Sequence, residues 1–417
     1  MKHAWLEAAK TLLIVLLVIS LLFLFAASIP TDVVRSTPWL STVLKPFGPL
    51  LGLPSAELTY VGEAQSVQTA AQPLTVSICN TSGRYTAQWD FSALDTAYET
   101  LGGLLGQALD TAESFTEVRP FQLTQALSRP SVSFDYGFDL PVALAASWLD
   151  VEVPTEDAAY TIYALTLEQN RVCLYLSGET CRKAATQVDA DEFSALLEQF
   201  QPDGSQFAFE ADSPMAPLSI MPGTVPRLVG AATESLAGVR YVDALANNLG
   251  FNPYDAGRYT DSNGVTHFSE SGGSLQIGAD GTVRFSATSA RITAPGSSAE
   301  TLVETARSLL NLAVDTSGTS ARLYLSDFSQ EEDVTTCTFD YVLRGVPVRW
   351  SEEPAATVVF NGQTVTQLTL KAVTFTFNDR LQHLLPPTQA AAILPKDGSL
   401  QLQYHVSGSE ATAGWAK

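Results

Sequence analysis

The chain has 417 residues, of which 46% are hydrophobic and 16% charged, and its formal net charge is −21. This composition is typical of a folded protein with two or three hydrophobic cores and excludes an intrinsically disordered chain. So acidic a surface repels nucleic acids and anionic lipid headgroups, and we expect no nucleic-acid partner. The 4 cysteines are too few for a disulfide framework in a chain of this length.

An uncharged apolar run over residues 11–29 follows Lys2 and Lys10. At ~1.5 Å per residue, a helix of this length crosses a hydrocarbon core of ~30 Å. Lysines before the run hold the N-terminus in the cytoplasm. The sequence therefore predicts a cytoplasmic stub (1–10), a single transmembrane anchor (11–29) in the cell membrane, and extracytoplasmic domains. The large apolar residues of the anchor are Leu12, Leu13, Ile14, Val15, Leu16, Leu17, Val18, Ile19, Leu21, Leu22, Phe23, Leu24 and Phe25.

A cleaved signal peptide is the alternative interpretation of this segment. Small residues at Ala26–Ser28 resemble a cleavage site. The apolar run is longer than the roughly 7–15 residues of a signal-peptide core, and Pro30 lies close behind the candidate site. No cysteine follows the run directly, which argues against a lipid-anchored lipoprotein. These features favour a retained anchor.

A juxtamembrane linker rich in proline, glycine and serine is predicted over 30–56, and a first α+β domain over 57–211. Ser92 and Asp95 form a candidate capping pair, and the apolar spacing from Leu94 to Ala108 predicts a helix. A second helix is predicted near 191–200. Alternating apolar residues predict strands over 74–79, 85–89, 132–136, 161–167 and 171–176.

A proline- and serine-rich crossing then separates two further α+β units, 212–290 and 291–417. In the second unit a helix over 239–249 ends at Gly250, and Asn263-Gly264 and Asp280-Gly281 predict two-residue hairpin turns. In the third unit a capping box, Ser297–Glu300, precedes a helix. Strands are predicted over 322–326, 334–343, 346–350, 357–360, 364–370 and 400–406, and a short helix over 388–394. The expected fold class is thus α+β, with antiparallel sheets and packed helices.

Cys173 and Cys181 flank a short segment in which Ser177-Gly178 could form a hairpin turn. Such a turn would bring the two sulfurs together, so they are a candidate disulfide, and a pair of free thiols is the alternative. Cys337 alternates with apolar residues and is expected to be buried.

No pattern of catalytic or metal-ligating residues stands out. His267, His383 and His405 lack ligand spacing, and the motifs HExxH, CxxC and GxSxG are absent from the sequence. The acidic runs 331–333 and 352–353 have the adjacent carboxylates of solvated loops. We therefore predict a non-enzymatic protein without cofactor, catalytic residues or metal site. Trp415, close to the C-terminus, is expected to dock onto the fold, and a partner surface is the alternative.

Several short segments resemble the YycH/YycI group, the membrane-anchored regulators of the YycFG (WalRK) two-component system in Gram-positive bacteria. They are Gly83–Asp90 (GRYTAQWD), Tyr254–Tyr259 (YDAGRY), Ser274–Gly281 (SLQIGADG) and Tyr341–Val348 (YVLRGVPV). The closing segment, 384–415, is similar to the repeat units of that family and of PepSY-like domains. The acidic, alanine-rich composition departs from the family's usual pattern.

The resemblance implies a regulator of a sensor histidine kinase that controls the cell envelope, with the bilayer, the kinase and a second small anchored regulator as partners. No catalytic residue exists in the family to be carried over. The alternative function is an anchored PepSY-like binding module or inhibitor that acts on secreted peptidases or cell-wall components. An envelope hydrolase is less favoured, because no catalytic constellation supports it.

Overall fold

The computed structural model describes residues 58–59, 72–152, 158–254, 257–314, 321–351, 353–396 and 398–416. The chain forms two lobes, each built on a β-sheet with helices packed against it. We call residues 72–205 the N-lobe, residues 206–228 the connector and residues 229–416 the C-lobe. The fold is mixed α+β, as the sequence predicts.

The N-lobe contains a seven-stranded antiparallel sheet in the order β3-β2-β5-β6-β7-β8-β4. Its strands are β2 (Thr75–Cys79), β3 (Arg84–Ala87), β4 (Thr116–Glu117), β5 (Ser131–Pro141), β6 (Ala159–Glu168), β7 (Arg171–Ser177) and β8 (Cys181–Ala185). Its helices are α1 (Phe91–Asp110), α2 (Pro120–Leu127), α3 (Val142–Trp148) and α4 (Ala190–Leu197).

Helix α1 follows the predicted apolar spacing: Leu94, Leu101 and Leu105 on its inner face are buried. Its N-terminal cap differs from the prediction. The side chain of Asp90 accepts the hydrogen bond from the backbone N–H of Ser92, so Ser92 and Asp95 do not form the cap. Asp95 is thereby free to bind a distant part of the chain.

The C-lobe contains one large sheet in the order β12-β13-β14-β15-β21-β20-β18-β19-β23-β24-β11-β22. Strands β16 and β17 pair with β21 and β18, and β1 (Leu58–Thr59) pairs in parallel with β16. The bounds are β11 (Val229–Ser235), β12 (Tyr259–Thr260), β13 (Thr266–Glu270), β14 (Gly273–Ile277), β15 (Thr282–Ala287), β16 (Ile292–Thr293), β17 (Ala321–Glu331), β18 (Val334–Leu343), β19 (Val346–Trp350), β20 (Ala356–Asn361), β21 (Thr364–Lys371), β22 (Val373–Leu381), β23 (Gln401–Ser407) and β24 (Glu410–Ala416). Helices α5 (Val239–Asn248), α6 (Ala299–Ala313) and α7 (Pro387–Ile393) accompany the sheet, and the connector holds β9 (Gln206–Phe207) and β10 (Ile220–Met221).

Local sequence signals place most C-lobe turns, although not always in the predicted form. Gly250, just past α5, has φ 76°, as expected of a glycine cap. The loops at Asn263-Gly264 and Asp280-Gly281 are longer than two residues, because Asp261 bonds to Val265 and Gly278 to Thr282 through the backbone. Helix α6 is capped by Ser298, one residue after the predicted capping box begins.

Besides the two-residue strand β16, the sequence patterns did not predict three longer C-lobe strands, β11, β22 and β24. Strand β11 pairs with both of the others, and β24 also pairs with β23. Across the predicted boundary at residue 290, β15 pairs with β21, so strands of the second and third predicted units share one sheet. The division into domains at the predicted positions stays a prediction.

The candidate disulfide between Cys173 and Cys181 is not formed; both cysteines are free thiols. The register of the hairpin places Cys181 opposite Ser177, and Cys173 opposite Ala185. The two cysteines therefore lie four residues apart along the ribbon, about 13 Å, whereas a bridge needs Cα atoms within about 7 Å. Cys337 is fully buried, as predicted.

Within the described residues no helix is both long and apolar enough to span a bilayer. The anchor predicted over 11–29, with Lys2 and Lys10, lies outside those residues.

We expect all four cysteines to titrate as thiols in denaturant without reductant. Burial raises the pKa of the Cys181 thiol to about 11 and that of Cys337 to about 12, so both should react slowly in the native state. Thiol titration of the protein under native and denaturing conditions measures this. Only two reactive thiols in denaturant would mean that a bridge has formed.

Candidate functional site

The most specific arrangement of polar side chains in the described residues lies at the junction of the two lobes. We call it the interlobe junction and define it by Gln72, Asp95, Arg322 and Tyr324. Asp95 comes from α1 in the N-lobe, and Arg322 and Tyr324 come from β17 in the C-lobe. Helix α1 and strand β17 belong to different lobes. A contact between their side chains therefore holds one lobe against the other.

Arg322 binds Asp95 with both arms of its guanidinium group. The distances are 2.9 Å from Nη1 to Oδ1 and 3.0 Å from Nη2 to Oδ2. Such a two-pronged contact fixes the orientation of the partners as well as their separation. The hydrogen bonds from Arg322 lower the pKa of the Asp95 carboxyl below its usual range, and Asp95 in turn raises the pKa of Arg322.

Gln72 completes the network. Its Nε2 donates to Asp95 at 2.7 Å, and its Oε1 accepts from Arg322 at 3.1 Å and from the Tyr324 hydroxyl at 2.8 Å. Gln72 is only 4% exposed and Tyr324 8%. Phe91, at the start of α1, lies under the guanidinium at 4.1 Å and parallel to the Tyr324 ring. The junction is thus a satisfied polar cluster with an aromatic floor.

A second contact between the lobes involves Gly345, in the turn between β18 and β19. A Cβ atom at Gly345 would lie 2.4 Å from the backbone N of Asp90 and 2.6 Å from the carbonyl carbon of Trp89. Gly345 has φ 87° and its neighbour Arg344 φ 52°, which is the geometry of a type I′ hairpin turn. Trp89 itself has φ 58°, an uncommon value for a large residue. Backbone strain therefore coincides with a close approach of the two lobes.

Trp415 closes the junction from the C-terminal strand. Its ring packs edge-on against Trp89 at 5.6 Å, and its Nε1 donates to the carbonyl of Leu385 at 2.8 Å. The predicted docking of Trp415 is therefore confirmed. Nearby, the indole N–H of Trp148 on α3 donates to Glu304 on α6 at 3.2 Å, which joins one helix of each lobe.

The connector is held by both lobes. Arg84, 5% exposed, forms an ion pair with Glu210 at 2.7 Å, and its guanidinium lies over Phe207. On the opposite side, Met215 and Met221 share a small hydrophobic cluster with C-lobe residues that include Leu400. These contacts join the lobes through side chains in addition to the backbone of the connector.

This arrangement is suited to holding two lobes rather than to catalysis. Its groups are mutually hydrogen-bonded and offer no nucleophile paired with a base. The three histidines that the sequence analysis weighs as catalytic or metal-ligating residues do not form one group. His267 bonds to Asp261, His405 contacts Gln403, and His383 lies beyond β22. In the part of the chain that the structure describes, no group of three His, Cys, Asp or Glu residues could hold a metal ion.

The sequence patterns do not predict the junction. They place Asp95 in a helix cap and Arg322 at the start of a strand, and they indicate no role for Gln72. Nothing in the local pattern of any of these residues indicates a partner 227 positions away, which is the separation of Asp95 and Arg322.

Comparisons with known proteins bear on the class of this fold. No protein-family model matches the chain, and no curated protein matches it in sequence. Among solved structures, the crystal structure of YycH from Bacillus subtilis matches with a TM-score of 0.53 and 10% sequence identity, over 83% of this chain and 94% of that one. The chain therefore has a YycH-like fold. The YycI and PepSY parts of the resemblance stay predictions.

We expect Gly345→Ala to lower the free energy of unfolding by about 1–3 kcal/mol. The added methyl group would displace the backbone of Trp89 and Asp90, and alanine is strained at the positive φ of this position. Gly362→Ala is the matched control: its φ is 56°, and no atom lies within 4 Å of the added methyl. The control isolates the conformational cost of about 1 kcal/mol. Denaturant unfolding measures both variants, and equal losses would contradict the close approach of the lobes.

We expect Asp95→Asn to lower stability at neutral pH by about 1–2 kcal/mol, since it removes a charged partner of Arg322. The folded-state pKa of Asp95 lies below its unfolded value, so its contribution is present above about pH 4 and is lost as the pH falls through the folded pKa. The difference between wild type and variant should therefore shrink in acid.

Thermal unfolding from neutral pH to about pH 3 measures this effect. Asp379→Asn, which changes an exposed carboxylate on β22, is the control and should cost less than about 0.5 kcal/mol. A wild-type advantage that stays constant down to the lowest pH would contradict the role of the Asp95 charge.

Proposed function

We propose that this chain is a non-enzymatic, membrane-anchored regulator outside the cytoplasm, which acts on a two-component sensor histidine kinase of the cell envelope. The observation that carries the proposal is the YycH-like fold over 83% of the chain, following an apolar segment with the length and flanking charges of an anchor. The resemblance of the sequence to the YycH/YycI group implies the same function.

The structure of the lobes supports binding as the mode of action. The interlobe junction couples the lobes through a two-pronged ion pair, a close backbone approach and a buried glutamine. A body joined in this way presents its surfaces in a constant relative orientation. Binding to a kinase can then shift the balance between its two signalling states by as much as the difference in affinity for them.

The anchor is the candidate for the contact inside the membrane. Residues 12–25 are almost all large aliphatic or aromatic side chains and lack a pattern of small residues four apart. Such a helix contacts its neighbours through side-chain packing rather than close backbone approach. The expected partners are the transmembrane helices of the kinase and a second small anchored regulator.

We expect replacement of residues 11–29 by an unrelated transmembrane helix to abolish regulation of the kinase, because the extracytoplasmic lobes would remain in place while the specific anchor contact is lost. The measurement is a transcriptional reporter of the kinase's response regulator in a strain that lacks the native gene. Membrane fractionation of the full chain and of the swapped chain is the control, and both should pellet with membranes.

A second variant keeps the anchor and carries an unrelated folded domain in place of residues 72–416. Regulation by this variant but not by the swapped chain assigns the contact to the anchor. Regulation by the swapped chain alone would contradict the anchor contact and favour a binding module acting through its lobes. A reporter unaffected by deletion of the whole gene would overturn the proposed function, as would a chain recovered only from the soluble fraction.

A further inference from the structure

A cleft of about 420 Å³ lies on the outer face of the C-lobe sheet, near the loops that join β12 to β13 and β14 to β15. It is separate from the interlobe junction. Its lining combines the polar side chains of Asn263, Gln276, Asp280, Thr282, Arg284 and Lys371 with the apolar surface of Val265 and Ala279. Apolar surface exceeds polar surface in the cleft, which suits a ligand that has both apolar and polar faces.

The register of four strand pairs extends this cleft into a row of side chains across the sheet. Successive partners on β12, β13, β14, β15 and β21 are Tyr259, His267, Gln276, Arg284 and Thr369. Partners in such a row share one face of the sheet and repeat about every 4.8 Å. The adjacent row, which includes Ile277, Val283 and Leu370, points into the core. The outer row therefore offers a linear ligand a regular series of contacts.

An aromatic platform stands at one end of the row. The rings of Tyr259 and His267 are parallel and 4.6 Å apart, and His267 is oriented by Asp261 at 3.1 Å. Tyr259 is 57% exposed. An ordered, exposed aromatic ring can pack against the apolar face of a sugar while its polar edge stays hydrated.

Two cations stand at the other end of the row, in a chain with 44 acidic and 23 basic residues. Arg284 and Lys371 share one carboxylate, Glu353, at 3.4 Å and 3.6 Å. Lys371 also contacts the hydroxyl of Thr282 at 3.2 Å. A guanidinium has five donors and an ammonium three, so the shared carboxylate uses only part of their capacity. An anionic ligand could replace Glu353 with little rearrangement.

We propose that this cleft binds a short segment of acidic carbohydrate. One sugar ring packs on Tyr259, the middle of the segment bonds to Gln276, and a carboxylate or phosphate substituent is held by Arg284 and Lys371. The proposal goes beyond the regulatory function and does not depend on it.

Isothermal titration of the full chain, in a detergent without a sugar headgroup, tests the proposal. The probes are tetragalacturonate, a phosphorylated oligomannose, the neutral maltotetraose, and citrate. The expected result is binding of one or both acidic oligosaccharides at least about tenfold tighter than binding of maltotetraose and citrate. The two acidic probes distinguish a carboxylate from a phosphate substituent. No binding of either acidic probe overturns the proposal, and citrate binding equally well shows a simple anion site and overturns the carbohydrate assignment.

Variants locate the site. Arg284→Ala and Tyr259→Ala should each weaken binding about tenfold, and Glu353→Gln should strengthen it because a competing carboxylate is removed. Arg380→Ala is the matched control: Arg380 is an exposed arginine on β22 that also forms a surface ion pair, with Glu410 at 3.7 Å.

Equal weakening by Arg380→Ala and Arg284→Ala would show a general charge effect and overturn the site, as would weaker binding by Glu353→Gln. Thermal unfolding shows that each variant is folded, and Arg284→Gln replaces Arg284→Ala where that variant is not. Because the readout is binding by the purified chain, its result is independent of the kinase reporter.

Discussion

One hydrophobic core runs through both lobes, and the arrangement of the molecule depends on it. The two-pronged ion pair between Arg322 and Asp95 adds orientation to this core. It joins the first helix of the N-lobe to a strand of the C-lobe, and Gln72 and Tyr324 bind around it. An ion pair that is partly exposed contributes modestly to stability by itself. Here its geometry matters more than its energy, because two parallel N–H···O bonds donated by the planar guanidinium fix the orientation of the carboxylate. Trp89, Gly345 and Trp415 make further contacts between the two lobes.

Backbone strain is present on both sides of the contact between the lobes. Trp89 and Arg344 both have positive φ, and they lie on the two sides of a close backbone approach. Positive φ in residues of this size costs free energy that only surrounding packing can offset. Loss of the junction would remove that packing, so we expect the relative position of the lobes and the local conformation at Trp89 to change together.

The proposed function separates two tasks between the anchor and the two lobes. In that proposal the anchor supplies the contact with a kinase, and the outer surfaces of the lobes remain accessible to other ligands. The polar row from Tyr259 to Thr369 lies on such a surface, on the far face of strands whose other side forms the core. A ligand bound there could change kinase signalling only by binding with different affinity in its two states.

The sequence by itself determined the features that depend on neighbouring residues. Apolar spacing placed α1 and α6, glycine marked the end of α5, and alternation placed β18 and β19 at their observed bounds. These signals are local because a helix or hairpin satisfies its own backbone hydrogen bonds. The apolar run at 11–29 is a signal of the same kind and stays a prediction of an anchor.

Only the tertiary structure decided which strands pair and which polar side chains meet. Strands β11 and β22 gain their hydrogen bonds from partners far away in the chain, so their own composition is a weak guide, whereas β24 pairs with its neighbour β23 and also with β11. The sequence predicts the hairpin of Cys173 and Cys181, but the observed register pairs Cys181 with Ser177 and keeps the thiols apart. The sequence pattern predicts Asp95 as part of a helix cap, whereas the fold places Arg322 beside it. A carboxylate has many local partners of similar energy, and long-range packing selects one of them.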